Sequence, residues 1–110
     1  MRVLVANDPC LYREVITDAL RELRPHLEVR AIEPGVLEGE VARLRPHLVV
    51  CSRISAAVHA LLAWIMLYPD GENRAVINAA GEHVTVNDVG FGDILSIIDR
   101  TELLLSELIS

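Results

Sequence analysis

Two short apolar runs constrain this chain most: Val3-Leu4-Val5-Ala6 near its start and Leu48-Val49-Val50-Cys51 in its middle. Neither contains a polar residue to turn toward water, so each suits a central strand of a parallel sheet, buried on both faces. Parallel strands need crossovers, and the sequence between the two runs supplies them. Leu11 to Arg24 reads as an amphipathic helix, with Leu11, Val15, Ala19 and Leu23 as the apolar stripe and Ile16 and Leu20 widening it. Arg13, Glu14, Asp18, Arg21 and Glu22 are expected to form its solvated face. Pro25 ends this helix, and Leu27 to Ile32 alternates as an edge strand does, with charges that discourage edge-to-edge pairing. After Pro34-Gly35, a second helix is expected over about Val36 to Leu44, weakened by Gly39.

The order strand, helix, strand, helix, strand implies right-handed crossovers in an α/β sheet. The chain has 110 residues, 52% of them hydrophobic, which is enough for one domain, 1–110, with its own core. Its formal net charge of −6, with no basic stripe, argues against nucleic acid or anionic lipid as a direct partner. No apolar run reaches membrane-spanning length and the N-terminus lacks a signal-peptide layout, so the expected location is cytoplasmic, with no membrane contact.

Farther along, Ser52 to Ala60 is a weak, Ala-rich helix and Leu62 to Tyr68 a fourth apolar strand. Pro69-Asp70-Gly71-Glu72-Asn73 is a turn signal. Arg74 to Ala79 and His83 to Asn87 then alternate around an Ala80-Gly81 turn, which predicts an antiparallel meander and a mixed sheet. From about Val89 to Ile109 the chain returns to helix, with Ile94, Leu95, Ile98, Leu104, Leu105 and Leu108 on its apolar face and Asn87 or Asp88 as its cap.

The stretch Arg2-Val3-Leu4-Val5-Ala6-Asn7-Asp8-Pro9-Cys10-Leu11-Tyr12-Arg13-Glu14 resembles the opening of bacterial response-regulator receiver domains, and Arg45-Pro46-His47-Leu48-Val49-Val50-Cys51-Ser52 resembles their third strand. The resemblance covers the first half of the chain and implies a flavodoxin/CheY-like three-layer sandwich, here with a C-terminal antiparallel β-hairpin replacing the fourth helix. In that family the first strand ends in two acidic residues that hold Mg²⁺, the third is followed by the phosphoacceptor aspartate, and a lysine follows the fifth. This chain has Asn7-Asp8, Ser52 and no lysine, since all ten basic residues are arginine. Phosphoryl transfer needs the nucleophile, the metal and the cation together. The resemblance therefore implies a degenerate pocket of Asn7, Asp8, Ser52 and Arg53.

Asp8 is expected to cap the helix that follows, because one carboxylate holds Mg²⁺ poorly without phosphate or further acidic help. Arg53 either pairs with Asp8, filling the space of a metal, or points to solvent. Cys10 and Cys51 read as buried or semi-buried thiols, since neither sits in a metal-ligand pattern. The scattered histidines and Ser52 make no nucleophile–base pair, so no enzyme activity, cofactor or metal is expected. Trp64, Tyr68, Phe91, Leu104, Leu105 and Leu108 are the candidate interaction surface. Together these features predict a phosphorylation-independent signalling domain acting through a protein partner or as a homodimer. The alternative is a small-ligand-binding or catalytic flavodoxin-like domain using the edge formed by Asn7, Asp8, Ser52 and Arg53.

Overall fold

In the computed structural model, which describes residues 1–109 with side chains through Glu107, one mixed sheet organises the chain. The elements are β1 (Arg2–Ala6), α1 (Cys10–Leu23), β2 (Glu28–Ala31), α2 (Leu37–Leu44), β3 (Leu48–Cys51), α3 (Ala56–His59), β4 (Ala63–Leu67), β5 (Arg74–Ala79), β6 (Glu82–Asn87) and α4 (Phe91–Ile109). Among the described residues the sheet has six strands in the order β2-β1-β3-β4-β5-β6. The first four run parallel, with Val5 beside Val50 and Val50 beside Ile65; β5 and β6 return antiparallel.

The two apolar runs are the two central strands, and their alternation sets up a core on each side. Val3, Val5 and Val50 face one way and pack with Ile16 and Leu20 of α1 and Ile94 and Ile98 of α4. Leu4, Val49 and Cys51 face the other way, with Leu37, Val41 and Leu44 of α2 and with Trp64. Full burial of each such side chain contributes on the order of 1.5–3 kcal/mol. The edge strand β2 keeps Glu28 and Arg30 exposed, and Arg2 Nε donates to Glu28 at 2.5 Å.

The hairpins form where the turn residues require them. Ala80 and Gly81 have φ of 53° and 88°, the paired left-handed geometry of a two-residue hairpin. After β4, Tyr68 and Asp70 are also left-handed, at φ 54° and 53°, and the chain reverses into β5 instead of entering a helix.

Several expectations are corrected. In α1 the buried positions are Ile16, Thr17 and Leu20, while Leu11, Val15 and Leu23 are exposed. Helical geometry sets Leu11 and Val15 on the arc opposite Ile16 and Leu20, so the widening residues are the core face and most of the expected stripe is not. Neither Asn87 nor Asp88 caps α4. Asp93 does part of that work, its carboxylate accepting the Gly90 N–H at 2.9 Å, as the third helical residue of a capping box does. The weak third helix, expected to make only one or two turns, is the single turn Ala56–His59, capped by Ser55 Oγ accepting from Val58 N–H at 3.3 Å. No helix among the described residues is long and apolar enough to cross a membrane.

Candidate functional site

The order β2-β1-β3 means the chain leaves β1 toward one side of the sheet and enters β3 on the other. Ligands of open α/β sheets bind at such reversal points, outside the carboxyl ends of the strands. Asn7 and Asp8 follow β1 there, and Ser52 and Arg53 follow β3, whose last residue Cys51 is registered beside Ala6. The structure thus brings the four pocket residues to one sheet edge.

Hydrogen bonds there tie strand to strand. Ser52 Oγ accepts the Asp8 N–H at 2.9 Å and donates to the Asp8 carbonyl at 3.3 Å. Asn7 is fully buried; its Nδ2 donates to the Leu67 carbonyl at 3.1 Å and lies 3.4 Å from Ser52 Oγ. Three strand ends, those of β1, β3 and β4, are joined by two short polar side chains. Among the described residues Asn7 Oδ1 has no partner. A carboxylate at position 7 would set an acceptor against the Leu67 carbonyl, which accounts for the amide.

Asp8 does not cap α1. Pro9 takes the cap position, and its carbonyl accepts the Tyr12 N–H at 3.0 Å, so the Asp8 side chain sits one residue too early. Its carboxylate, about half exposed at 47%, lies 3.8 Å from Arg13 and 3.9 Å from Arg53. Arg53 is 84% exposed and Arg13 only 11%. Arg13, which also donates to the Asn7 carbonyl at 3.4 Å, is therefore the better-fixed cation, and Arg53 stands at the rim with its charge largely in water. Sequence reasoning placed Arg13 on a solvated face. The signal that could have found it is its position in the first turn of α1, which points back at the strand ends.

Beside this edge, Pro34, Gly35 and Leu37 face Ser52 to Ser55 across a cavity of about 330 Å³ that Asp8 and Arg53 also line. Its lining sets one cation, Arg53, against two carboxylates, Asp8 and Glu38. Among the described residues no group of His, Cys, Asp or Glu could hold a metal ion.

The remaining expected residues separate. Trp64 is 4% exposed and packs in the core between strands; the His59 and His83 rings stand 6.1 Å and 5.6 Å from its own. Leu105 is buried as well, so neither offers open surface. Tyr68 and Phe91 are half-buried: Tyr68 Oη donates to the Val89 carbonyl at 3.2 Å and its ring lies 5.8 Å from Tyr12. Leu104 is exposed, and the Leu108 side chain lies outside the described residues. Cys10 is exposed, its thiol 3.5 Å from a Glu14 carboxylate oxygen, which corrects the expectation of burial. Cys51 is buried, and desolvation pushes its thiol up to about 12. Compared with protein-family models, curated proteins and solved structures, the chain shows no match.

Proposed function

We propose that the chain is a receiver-like, flavodoxin-type domain whose switch centre has become a fixed clasp, and that it works through protein–protein contact without phosphorylation. The observation that carries the proposal is the double engagement of Ser52 Oγ with the Asp8 main chain, at 2.9 and 3.3 Å. A group at the acceptor position that is bound on both sides to backbone is a structural bond, and a hydroxyl hydrogen given to a carbonyl is not held by a general base. The parallel strands in order 2-1-3-4 support the flavodoxin-type assignment. Arg13 beside Asp8 supplies fixed positive charge where the family binds a metal ion, with Arg53 at the rim. The absence of lysine from the sequence removes the phosphate-pairing cation.

Intact mass and light scattering, recorded with and without acetyl phosphate and Mg²⁺, test the proposal. The expected result is an unchanged mass and an unchanged assembly. A gain of one phosphoryl group with a change in assembly refutes it.

The cavity of about 330 Å³ beside Ser52 to Ser55 favours a second reading, a small-ligand site, because its volume reaches the lower end of the range that ligand pockets occupy. A thermal-shift screen separates the two readings. A ligand that raises the melting temperature of the wild type but not of Arg53→Ala would support the second.

A further inference from the structure

The far edge of the sheet carries a surface that the clasp does not use. β6 pairs with β5 along one side only, and between the carboxylates of Glu82 and Asp88 its run His83-Val84-Thr85-Val86-Asn87 contains no proline, glycine or charged residue. Edge strands are ordinarily blunted by such residues, as β2 is by Glu28 and Arg30. Here charge stands only at the two ends, Glu82 and Asp88, and the middle of the strand is left open.

The direction of each backbone group follows from the hairpin. The two-residue turn at Ala80-Gly81 makes Ala79 and Glu82 a hydrogen-bonded pair, so Glu82, Val84 and Val86 turn their N–H and C=O groups toward β5. The bond from Asp88 N–H to the Asn73 carbonyl, 2.9 Å, continues that alternation past the end of β6. His83, Thr85 and Asn87 therefore aim theirs at the open edge.

The side chains follow the same alternation. Val84 and Val86 stand on the α4 side, where with Ile77, Ile97 and Leu104 they line a groove of about 310 Å³. Val84 is 53% exposed. His83, Thr85 and Asn87 stand on the opposite side of the sheet.

We propose that β6 is a dimerisation edge, taking β6 of a second copy of this chain in antiparallel register centred on Thr85. This deepens the protein-contact reading above by naming the surface and the partner. The register itself matches the strand to a second copy. A two-fold axis perpendicular to the sheet through Thr85 opposes Thr85 to Thr85, His83 to Asn87 and Asn87 to His83. These are the residues whose backbone groups are free, and they make about six new hydrogen bonds, two for each pair.

The residues between them complete the match. Val84 meets Val86 and Val86 meets Val84 in the closely spaced pairs that bring side chains nearest. Both copies then keep α4 on one face of a joined sheet, with the two grooves side by side and Leu104 at the rim of each. Glu82, the first residue of β6, meets Asp88 of the second copy at each end of the pairing, so two like-charge approaches flank the run and leave the register to its three central backbone pairs. Centring on Val84 instead matches fewer free backbone groups and opposes Glu82 to Val86.

Amide hydrogen exchange on the wild-type chain, read by residue across a dilution series with light scattering in parallel, tests the proposal. In the monomer the Val84 and Val86 amides are protected and the Thr85 amide exchanges freely. In the dimer Thr85 becomes protected, and the protection is lost on dilution together with the doubled mass. Val84→Lys and Thr85→Pro, both at positions that face solvent or the open edge, should leave the monomer folded by circular dichroism and abolish the doubled mass. A chain that stays monomeric at every concentration overturns the proposal, as does a dimer in which the Thr85 amide still exchanges freely. A phosphoryl group gained from acetyl phosphate would refute the fixed clasp and leave this edge untouched, so the two failures are distinguishable.

Discussion

Replacing Ser52 by alanine removes the atom that holds the ends of β1 and β3 together. The Asp8 N–H loses its acceptor at 2.9 Å, the Asp8 carbonyl loses a donor at 3.3 Å, and the Asn7 amide keeps its bond to the Leu67 carbonyl. A buried donor left unsatisfied costs about 1–3 kcal/mol. Because the bond from the Asp8 N–H to Ser52 Oγ is only partly buried, the loss should fall in the lower part, about 1–2 kcal/mol. An unfolding entropy of about 2.1 cal/mol/K per residue over 110 residues is roughly 230 cal/mol/K, so the melting temperature should fall by roughly 4–9 °C. Asp8→Ala removes only two long ion pairs at a half-exposed carboxylate, and should change stability by less than about 0.5 kcal/mol, roughly 2 °C. Differential scanning calorimetry of the two variants beside the wild type makes the comparison. If Asp8→Ala lost several degrees and Ser52→Ala none, the clasp would be carried by the carboxylate and the reasoning would be wrong.

Other outcomes follow from the same geometry. Iodoacetamide at neutral pH should add one label, at exposed Cys10, and leave buried Cys51 unmodified, its thiol pushed up to about 12; peptide mapping reads both sites. The Arg24 guanidinium bound to Asp99 at 2.7 Å holds that carboxyl below its ordinary value of 3.8, and Arg2 does the same to Glu28 below 4.5. A carboxyl whose folded value is depressed stabilises above its unfolded value and loses that contribution as pH falls through the folded one. Thermal melts should therefore weaken as pH drops below those ordinary values, and Asp99→Asn should flatten the slope. Ala80→Asn should raise stability by about 0.5–1 kcal/mol in urea titrations, because asparagine tolerates the left-handed φ of 53° better than alanine does.

Much of the sheet was legible because its signals are local. The unbroken runs at Val3 and Leu48 named the buried strands, and Pro69-Asp70-Gly71 and Ala80-Gly81 named the reversals that produce the mixed sheet. Strand period and turn chemistry act over a few residues, so no tertiary knowledge was needed. The direction of α1 was not legible in the same way. Apolar residues occupy two arcs of that helix, and only packing against β1 and α4 selects Ile16 and Leu20 over Leu11 and Val15.

The site shows the same division. That Asn7, Asp8, Ser52 and Arg53 share an edge follows from strand order, which the sequence implied. That Ser52 bonds the Asp8 backbone, that Pro9 displaces Asp8 from the cap, and that Arg13 rather than Arg53 is the buried cation beside the carboxylate depend on a few ångströms. No residue pattern encodes distances of that size. Trp64 was grouped with the apolar residues of the C-terminal half as candidate interaction surface, whereas its place on a central strand, between Val49 and Asn78, buries it.

The measurement that tests the fixed clasp most directly is a two-dimensional amide NMR titration of the wild-type chain with Mg²⁺ and then acetyl phosphate. With a fixed clasp the Asn7, Asp8, Ser52 and Arg53 resonances stay in place, and Asp8 remains slow to exchange because its N–H is held by Ser52 Oγ. Saturable shifts centred on those four residues, spreading to Leu67 and Tyr68 on addition of the phosphodonor, would contradict it and restore a working switch.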